Sequence, residues 1–433
     1  MLIKRTFITR SFMGKVGILT TANLFNAILN FISGVLVARW LGPQLYGIAA
    51  LVMSYPHLVY TFFNVRSGDF SIKYLSEFHV KKEKEKVLAI CLLGYGMDFL
   101  TAFLTFGIVV ITASWAAKTI VHQIEMRQLI LLYTIAFLPQ SLVSTSYSIF
   151  AILEKFSSIA FIQILGGIIK VVLVLGLVWA GWQVAGVIWG NVISMIITGL
   201  LYGGMAYRIG KKVWGISWRR GNWRCLKGRT REILSFVLHN DLTVLIGMIP
   251  KQLDVVLLGY FRNPLEVGYY KLAKNIANTV GYVVKPLQSV SYPELAKLWG
   301  AGEREKFYQR VKELMWKFSF PLGILILMGI FFIPFVLPLI VGNVYQPAVL
   351  ASQILLVGAG IWLAFFWLRP TYLAQGRMRE WCLISMTVVG VSIVTFLIVI
   401  PRGGYIGLTV SQAVISGLLG HLMALFLTKR GEN

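Results

Sequence analysis

The sequence predicts an all-α polytopic membrane protein with twelve transmembrane helices in two six-helix lobes. The lobes are related by a pseudo-twofold axis along the membrane normal and flank a central cavity. Three observations lead there. Hydrophobic side chains make up 57 % of the 433 residues against 13 % charged, and the mean hydropathy is +0.74, which leaves too little polar surface to close a soluble globule. Apolar runs recur at lengths near the ~20 residues that a helix needs to cross a bilayer core. Basic residues fall on alternate loops, and short landmarks in the first half return in the second.

The apolar runs lie at roughly 16–38, 47–63, 88–113, 128–150, 159–180, 184–207, 233–259, 267–292, 315–338, 347–373, 381–400 and 404–427. The first is too long for a signal-peptide core and has no small-residue cleavage site, so it belongs to the mature chain. Thirty Lys and Arg lie on one set of loops and the two ends, and five on the intervening loops: Arg39, Lys118, Arg127, Arg262 and Arg402. By the positive-inside rule both termini are cytoplasmic, and an even number of crossings agrees. The net charge of +24 is therefore a signal of topology in the cytoplasmic membrane and of contact with anionic lipids, and implies no nucleic-acid partner.

The repeat is seen best in two turns. RWLGPQLYG (39–47) and YFRNPLEVGYY (260–270) each join two apolar runs, and Pro43 and Gly47 return as Pro264 and Gly268, both 221 positions on. Gly186 and Gly407 keep the same offset, each opening the last helix of its half. FAILEKF and LAQGRMR occupy equivalent places at a shift of 223. Both halves start on the cytoplasmic side, so the repeats are parallel. The expected domains are an N-terminal lobe over 1–207, a basic cytoplasmic linker over 208–232 and a C-terminal lobe over 233–433, with the linker read as an orientation signal joining two lobes.

Polar residues mark where the helices face protein or water. At 100° per residue the eighth helix gathers Lys271, Lys274, Asn275, Asn278, Tyr282, Lys285 and Ser289 into an arc of roughly 100°. Three lysines spread over about 21 Å of axis cannot all snorkel to one interface, and a lipid-facing Lys costs about 2.5 kcal/mol or more, so the stripe predicts a wet cavity. Snorkelling of Lys271 and Lys274 outward and Lys285 inward is the plainer alternative. The seventh helix carries Asn240, Thr243, Gly247, Lys251 and Asp254 on one face. By the repeat these faces fall on Asn23, Asn26, Asn30 and Ser33 of the first helix and on Ser54, His57, Thr61 and Asn64 of the second.

Within the crossings Lys170, Lys251, Lys271, Lys274, Lys285 and Arg369 outnumber Asp98, Asp241 and Asp254, and such a surplus favours an anionic ligand. Lys251 and Asp254, three apart, also suit mutual neutralisation. Asp98, Asp241 and Asp254 are the candidate ion-coupling residues, although Asp98 and Asp241 suit polar contacts between helices better. His57 fits hydrogen-bonded packing better than a titrating switch. Prolines 56, 139, 250, 286, 334, 338 and 370 predict kinks or helix ends.

Cys91, Cys225 and Cys382 are widely spaced singles, so neither a disulfide framework nor a metal site is expected. No nucleotide-binding phosphate loop, His-Glu-x-x-His pair or Gly-x-Ser-x-Gly elbow occurs. The expectation is a non-enzyme without a cofactor.

GVLVARWLGPQLYGIAAL, followed by a basic loop with KYLSEF, and LDVVLLGYFRNPLEVGYYKLA resemble the two signature regions of the polysaccharide-biosynthesis membrane proteins, the oligosaccharide flippases. That family lies within the multidrug, oligosaccharidyl-lipid and polysaccharide exporter superfamily, and the resemblance covers both halves. It implies a V of two six-helix lobes with the first, second, seventh and eighth helices lining the cavity. It further implies translocation of a polyprenyl-diphosphate-linked oligosaccharide between leaflets, alongside polysaccharide polymerase and glycosyltransferases. Under this resemblance a diphosphate pairs with Lys251, Lys271, Lys274, Lys285 and Arg369, while Asn26, Asn30, Asn64, Asn275, Asn278 and Tyr282 meet sugar hydroxyls and His57 lines the cavity. The alternatives are an ion-coupled exporter of small organic solutes, a membrane glycan polymerase or ligase, and a scaffold.

Overall fold

The computed structural model describes residues 2–64, 67–215, 223–229, 231–233, 235, 237 and 252–430, with side chains between 17 and 426. All regular structure among them is helical. In chain order the helices are α1 (Leu2–Phe63), α2 (Ser67–Val80), α3 (Lys84–Thr119), α4 (Arg127–Ile135), α5 (Phe137–Gln140), α6 (Leu142–Ile152), α7 (Phe156–Leu177) and α8 (Gln183–Trp214). After these come α9 (Gln252–Phe261), α10 (Pro264–Gly300), α11 (Arg304–Leu314), α12 (Phe320–Val341), α13 (Ala348–Ala364), α14 (Leu368–Ala374), α15 (Met378–Gln412) and α16 (Gly420–Arg430). The chain is a polytopic membrane protein: seven helical stretches among the described residues are long and apolar enough to cross a bilayer.

Three of the seven, Gly17–Phe63, Phe156–Trp214 and Met378–Phe426, run for 47, 59 and 49 residues. At 1.5 Å per residue, even the shortest would extend about 70 Å if straight, more than twice a ~30 Å hydrocarbon core. Each is broken by a glycine outside the helical region: Gly42 (φ 71°), Gly181 (φ 88°) and Gly404 (φ 54°). Side chains rarely adopt such φ values, so glycine is what lets the chain turn there.

At the second break the chain folds back on itself. Gly186 and Gly190 lie against Leu177 and Val174, and Ser194 donates to the Gly166 carbonyl at 3.1 Å, so α7 and α8 run antiparallel. Gly407 lies in the same way against Val399 beyond the third break. The matched pair Gly186 and Gly407 therefore has one cause: at each site a Cβ would meet the preceding limb of its own hairpin. The fourth predicted run divides into α4, α5 and α6 at Ala136 and Ser141, close to Pro139, which lacks the N–H that continuous helix requires.

The chain divides into two compact units. One comprises 1–33, 55–118 and 123–245, and its core gathers Phe70, Tyr74 and Phe78 of α2 with Ile90 of α3, Phe150 of α6, Ile162 of α7 and Tyr202 of α8. The other comprises 34–54, 119–122 and 246–433, with a core built on Val284, Phe307, Ile326, Leu356 and Phe366. The tip of the first hairpin is thus a part of the second unit. There Arg39 donates to the Ile340 carbonyl at 3.1 Å, and Tyr345 donates to the Ala38 carbonyl at 3.0 Å.

The repeated turns pack against each other inside this second unit. A Cβ on Gly47 would overlap the Pro264 carbonyl, and a Cβ on Gly268 would overlap the Pro43 carbonyl. Each Pro-x-x-x-Gly element thus supplies a proline carbonyl to the other's glycine, a reciprocal contact that two copies of one motif can make. Tyr46 extends the seam by accepting from Asn275 Nδ2 at 2.9 Å.

Candidate functional site

In the second unit α9 and α10 hold a buried charge cluster. Asp254 is fully buried, and its Oδ2 accepts from Tyr270 at 2.6 Å and from Lys274 Nζ at 2.5 Å. Its Oδ1 accepts from the Val255 backbone N–H at 2.6 Å. Tyr270 also contacts Gln412 of α15. A phenol has one proton, so the Asp254 carboxylate and the Gln412 side-chain oxygen compete for it. Lys274 lies about 15 Å along α10 from Pro264, a depth at which an unpaired ammonium is expensive. The carboxylate and the ammonium therefore hold one another in place.

Lys251 and Asp241, with Asn240, Thr243 and Gly247, lie outside the described residues. The partner that the structure gives Asp254 is Lys274, from the next helix. Beyond Lys274 the predicted α10 stripe opens: Asn278, Tyr282, Lys285 and Ser289 are exposed, while Lys271 and Asn275 are half-buried. Arg369 is exposed at the start of α14.

The first unit contains three separate polar groups. Asp98 of α3 is 2 % exposed; Ser67 of α2 donates to its Oδ2 at 2.5 Å and Thr145 of α6 at 3.0 Å. Ser67 also reaches Ser144 at 3.0 Å. Among the described residues no Lys or Arg stands at ion-pair distance from Asp98. This gathering of hydroxyls left no mark in the linear pattern, because Ser67, Thr145 and Asp98 come from three helices. His57 Nε2 bonds the Tyr133 hydroxyl at 2.9 Å, and its ring stands edge-on to Phe137 at 5.1 Å. Asn64 closes α1 and is half-buried.

The third group lies on α1 and α7. Asn26 Nδ2 donates to the Gln163 carbonyl at 3.0 Å, Asn30 Nδ2 donates to the Asn26 carbonyl at 2.7 Å, and Lys170 Nζ donates to Asn30 Oδ1 at 2.9 Å. Gln163 was missed in the sequence because it is a lone amide in an apolar run, and its tertiary neighbours alone set it apart.

Outside the membrane, Arg229 of the basic linker clasps α2. It donates to Glu77 at 2.7 Å and to Glu232 at 2.9 Å, and stacks over Tyr74 and Phe78. Hydrogen bonds from Arg229 and Lys81 lower the Glu77 carboxyl to about 2. No group of three or more His, Cys, Asp or Glu among the described residues is placed to hold a metal.

This fold is shared with solved membrane transporters. It resembles the lipid II flippase MurJ in an inward closed conformation, with a TM-score of 0.71 and 16 % identity over 95 % of this chain and 87 % of that one. It also resembles a multidrug resistance MATE family transporter in its inward-facing conformation, with a TM-score of 0.71 and 14 % identity over 94 % of each chain. Against a MATE family transporter in its outward-facing conformation the TM-score is 0.58 at 14 % identity, over 95 % of each. No curated protein sequence matches. The family described as polysaccharide biosynthesis protein matches residues 12–299, and the chain belongs to that family.

Proposed function

We propose that this protein moves a polyprenyl-diphosphate-linked oligosaccharide across the cytoplasmic membrane by alternating access. One observation carries the reading. In a member of the polysaccharide biosynthesis family, α10 presents a run of exposed polar and basic side chains, Asn278, Tyr282, Lys285 and Ser289, continuing from Lys271, Lys274 and Asn275. A diphosphate supplies the anion that such lysines attract, and sugar hydroxyls match the amide and phenol groups. The polyprenyl tail stays in lipid.

The same reading takes the three glycine-broken stretches as helix pairs and counts α9 and α10 as crossings. That makes twelve, with cytoplasmic termini, lobes over 1–207 and 233–433 and a linker over 208–232. The interlocked turns at Gly47 and Gly268 are the contact that has to part when the head group leaves for the outer leaflet. Polysaccharide polymerase and glycosyltransferases are the partners expected to supply and consume the cargo.

A second reading, an ion-coupled exporter of small solutes, is favoured by Asp98, a buried carboxylate held by hydroxyls. Asp254 suits that role less well because Lys274 already occupies it.

Proteoliposomes carrying the lipid-linked oligosaccharide test the two. Tyr282→Ala and Lys285→Ala alter exposed side chains and leave the fold intact, and movement between leaflets is expected to fall about tenfold or more for Lys285→Ala. Unchanged movement in both variants would remove α10 from the path. Loss of movement in Asp98→Asn alone would make Asp98 a coupling residue of the flippase, and no movement even with the unaltered protein would favour the exporter.

A further inference from the structure

We propose that the α1/α7 seam is a second head-group subsite, built for a glycosyl phosphate. Lys170 takes the phosphate, and the side-chain oxygens of Asn26 and Gln163 take sugar hydroxyls. The inference deepens the flippase reading and rests on it for the source of the ligand.

Lys170 lies about 21 Å along α7 from Phe156 and about 10 Å from Leu177, so its ammonium sits within a membrane-spanning stretch. Its partner is neutral: Nζ donates to Asn30 Oδ1 at 2.9 Å, and among the described residues no carboxylate stands at ion-pair distance. An ammonium at that depth wants an anion or water.

The amides beside it are half-used. Asn30 and Asn26 spend their N–H groups on the carbonyls of Asn26 and Gln163, which leaves Asn26 Oδ1 and Gln163 Oε1 buried without a partner. Flipping Asn26 would set its oxygen against a carbonyl, so the observed orientation stands. Buried acceptors without a donor are rare and costly in a membrane, and they call for a ligand that brings hydroxyls.

Gly167 is what lets Asn26 approach α7 so closely. Gln163, Gly167 and Lys170 share one face of α7 at spacings of four and three, and a Cβ on Gly167 would overlap Asn26 Oδ1. A metal cation would satisfy the two oxygens but not the ammonium beside them. One ligand answers all three groups: a phosphate joined to a hydroxylated ring.

Binding to the full-length protein in nanodiscs tests this with three probes: farnesyl diphosphate, farnesyl-diphospho-N-acetylglucosamine and soluble N-acetylglucosamine 1-phosphate. Lys170→Gln is expected to weaken both farnesyl probes about tenfold or more, and Lys170→Arg to stay within about threefold. Gln163→Leu should weaken only the sugar-bearing farnesyl probe. Thermal unfolding of each variant checks that it is folded.

Unchanged affinity in Lys170→Gln overturns the subsite and leaves the flippase reading standing. Binding of the soluble sugar phosphate alone, with the same Lys170 dependence, keeps the subsite and overturns its lipid-linked source. No binding of any probe to the unaltered protein overturns both.

Discussion

Asp98 and Asp254 are both buried carboxylates in membrane-spanning helices, and their surroundings differ in kind. Asp254 meets an ammonium, a phenol and a backbone N–H, with its charge matched by Lys274. Asp98 meets hydroxyls from Ser67 and Thr145, with no cation at ion-pair distance among the described residues. Charge at Asp254 is a structural commitment, because it pairs directly with the Lys274 ammonium. Charge at Asp98 is supported only by dipoles, so that site tolerates a neutral side chain of the same shape.

The sharpest way to break this contrast is Asp254→Asn. It removes the carboxylate that Lys274 pairs with and should lower stability by about 3–5 kcal/mol, whereas Asp254→Asn with Lys274→Met should recover much of the loss. Thermal unfolding in detergent of both singles and the double closes the cycle; additive losses would show that the pair is not coupled. The second unit is also clamped by its turns. Gly47→Ala and Gly268→Ala should each destabilise by about 1–3 kcal/mol, and by similar amounts, because each Cβ meets the other's proline carbonyl. Unequal losses in the same assay would show that the contact is not reciprocal in energy.

Asp98→Asn should be milder, about 1–2 kcal/mol, since its amide oxygen still accepts from Ser67 or Thr145. A loss as large as that of Asp254→Asn would end the distinction between the two carboxylates. The smallest expected effect lies outside the membrane. Glu77 is lowered from its ordinary 4.5 to about 2, so the Arg229 clasp contributes fully above about pH 4.5 and is lost as pH falls toward 2. Arg229→Ala should raise tryptic cleavage of the basic linker a few-fold at pH 7, and acidification of the unaltered protein should expose the linker to pepsin in the same way. Cleavage indifferent to both would show that the clasp does not hold the linker to α2.

Much of the fold was legible in the sequence because bilayers impose simple rules. Apolar run length follows from the thickness of the hydrocarbon core, and the repeated Pro-x-x-x-Gly turns and the Gly186/Gly407 match are local spacings that survive in a linear text. The exposed part of the α10 stripe was legible for the same reason, since helical periodicity alone sets which side chains share a face. What those side chains touch was not. Lys274 is one of several basic residues near Asp254 in sequence, and only the packing of α9 on α10 selects it.

By itself, then, the sequence determined membrane residence, helical class, family resemblance and the matched turns and glycines, because each depends on composition or on spacing along one chain. Tertiary structure decided that the two turns interlock and that residues 34–54 pack as one unit with 246–433. It also decided that Asp98 gathers hydroxyls while Asp254 takes a lysine, and that two amide oxygens beside Lys170 stay unpartnered. These are encounters between side chains tens to hundreds of residues apart, and hydrogen bonds and ion pairs act over a few ångströms of space, whatever the distance along the chain.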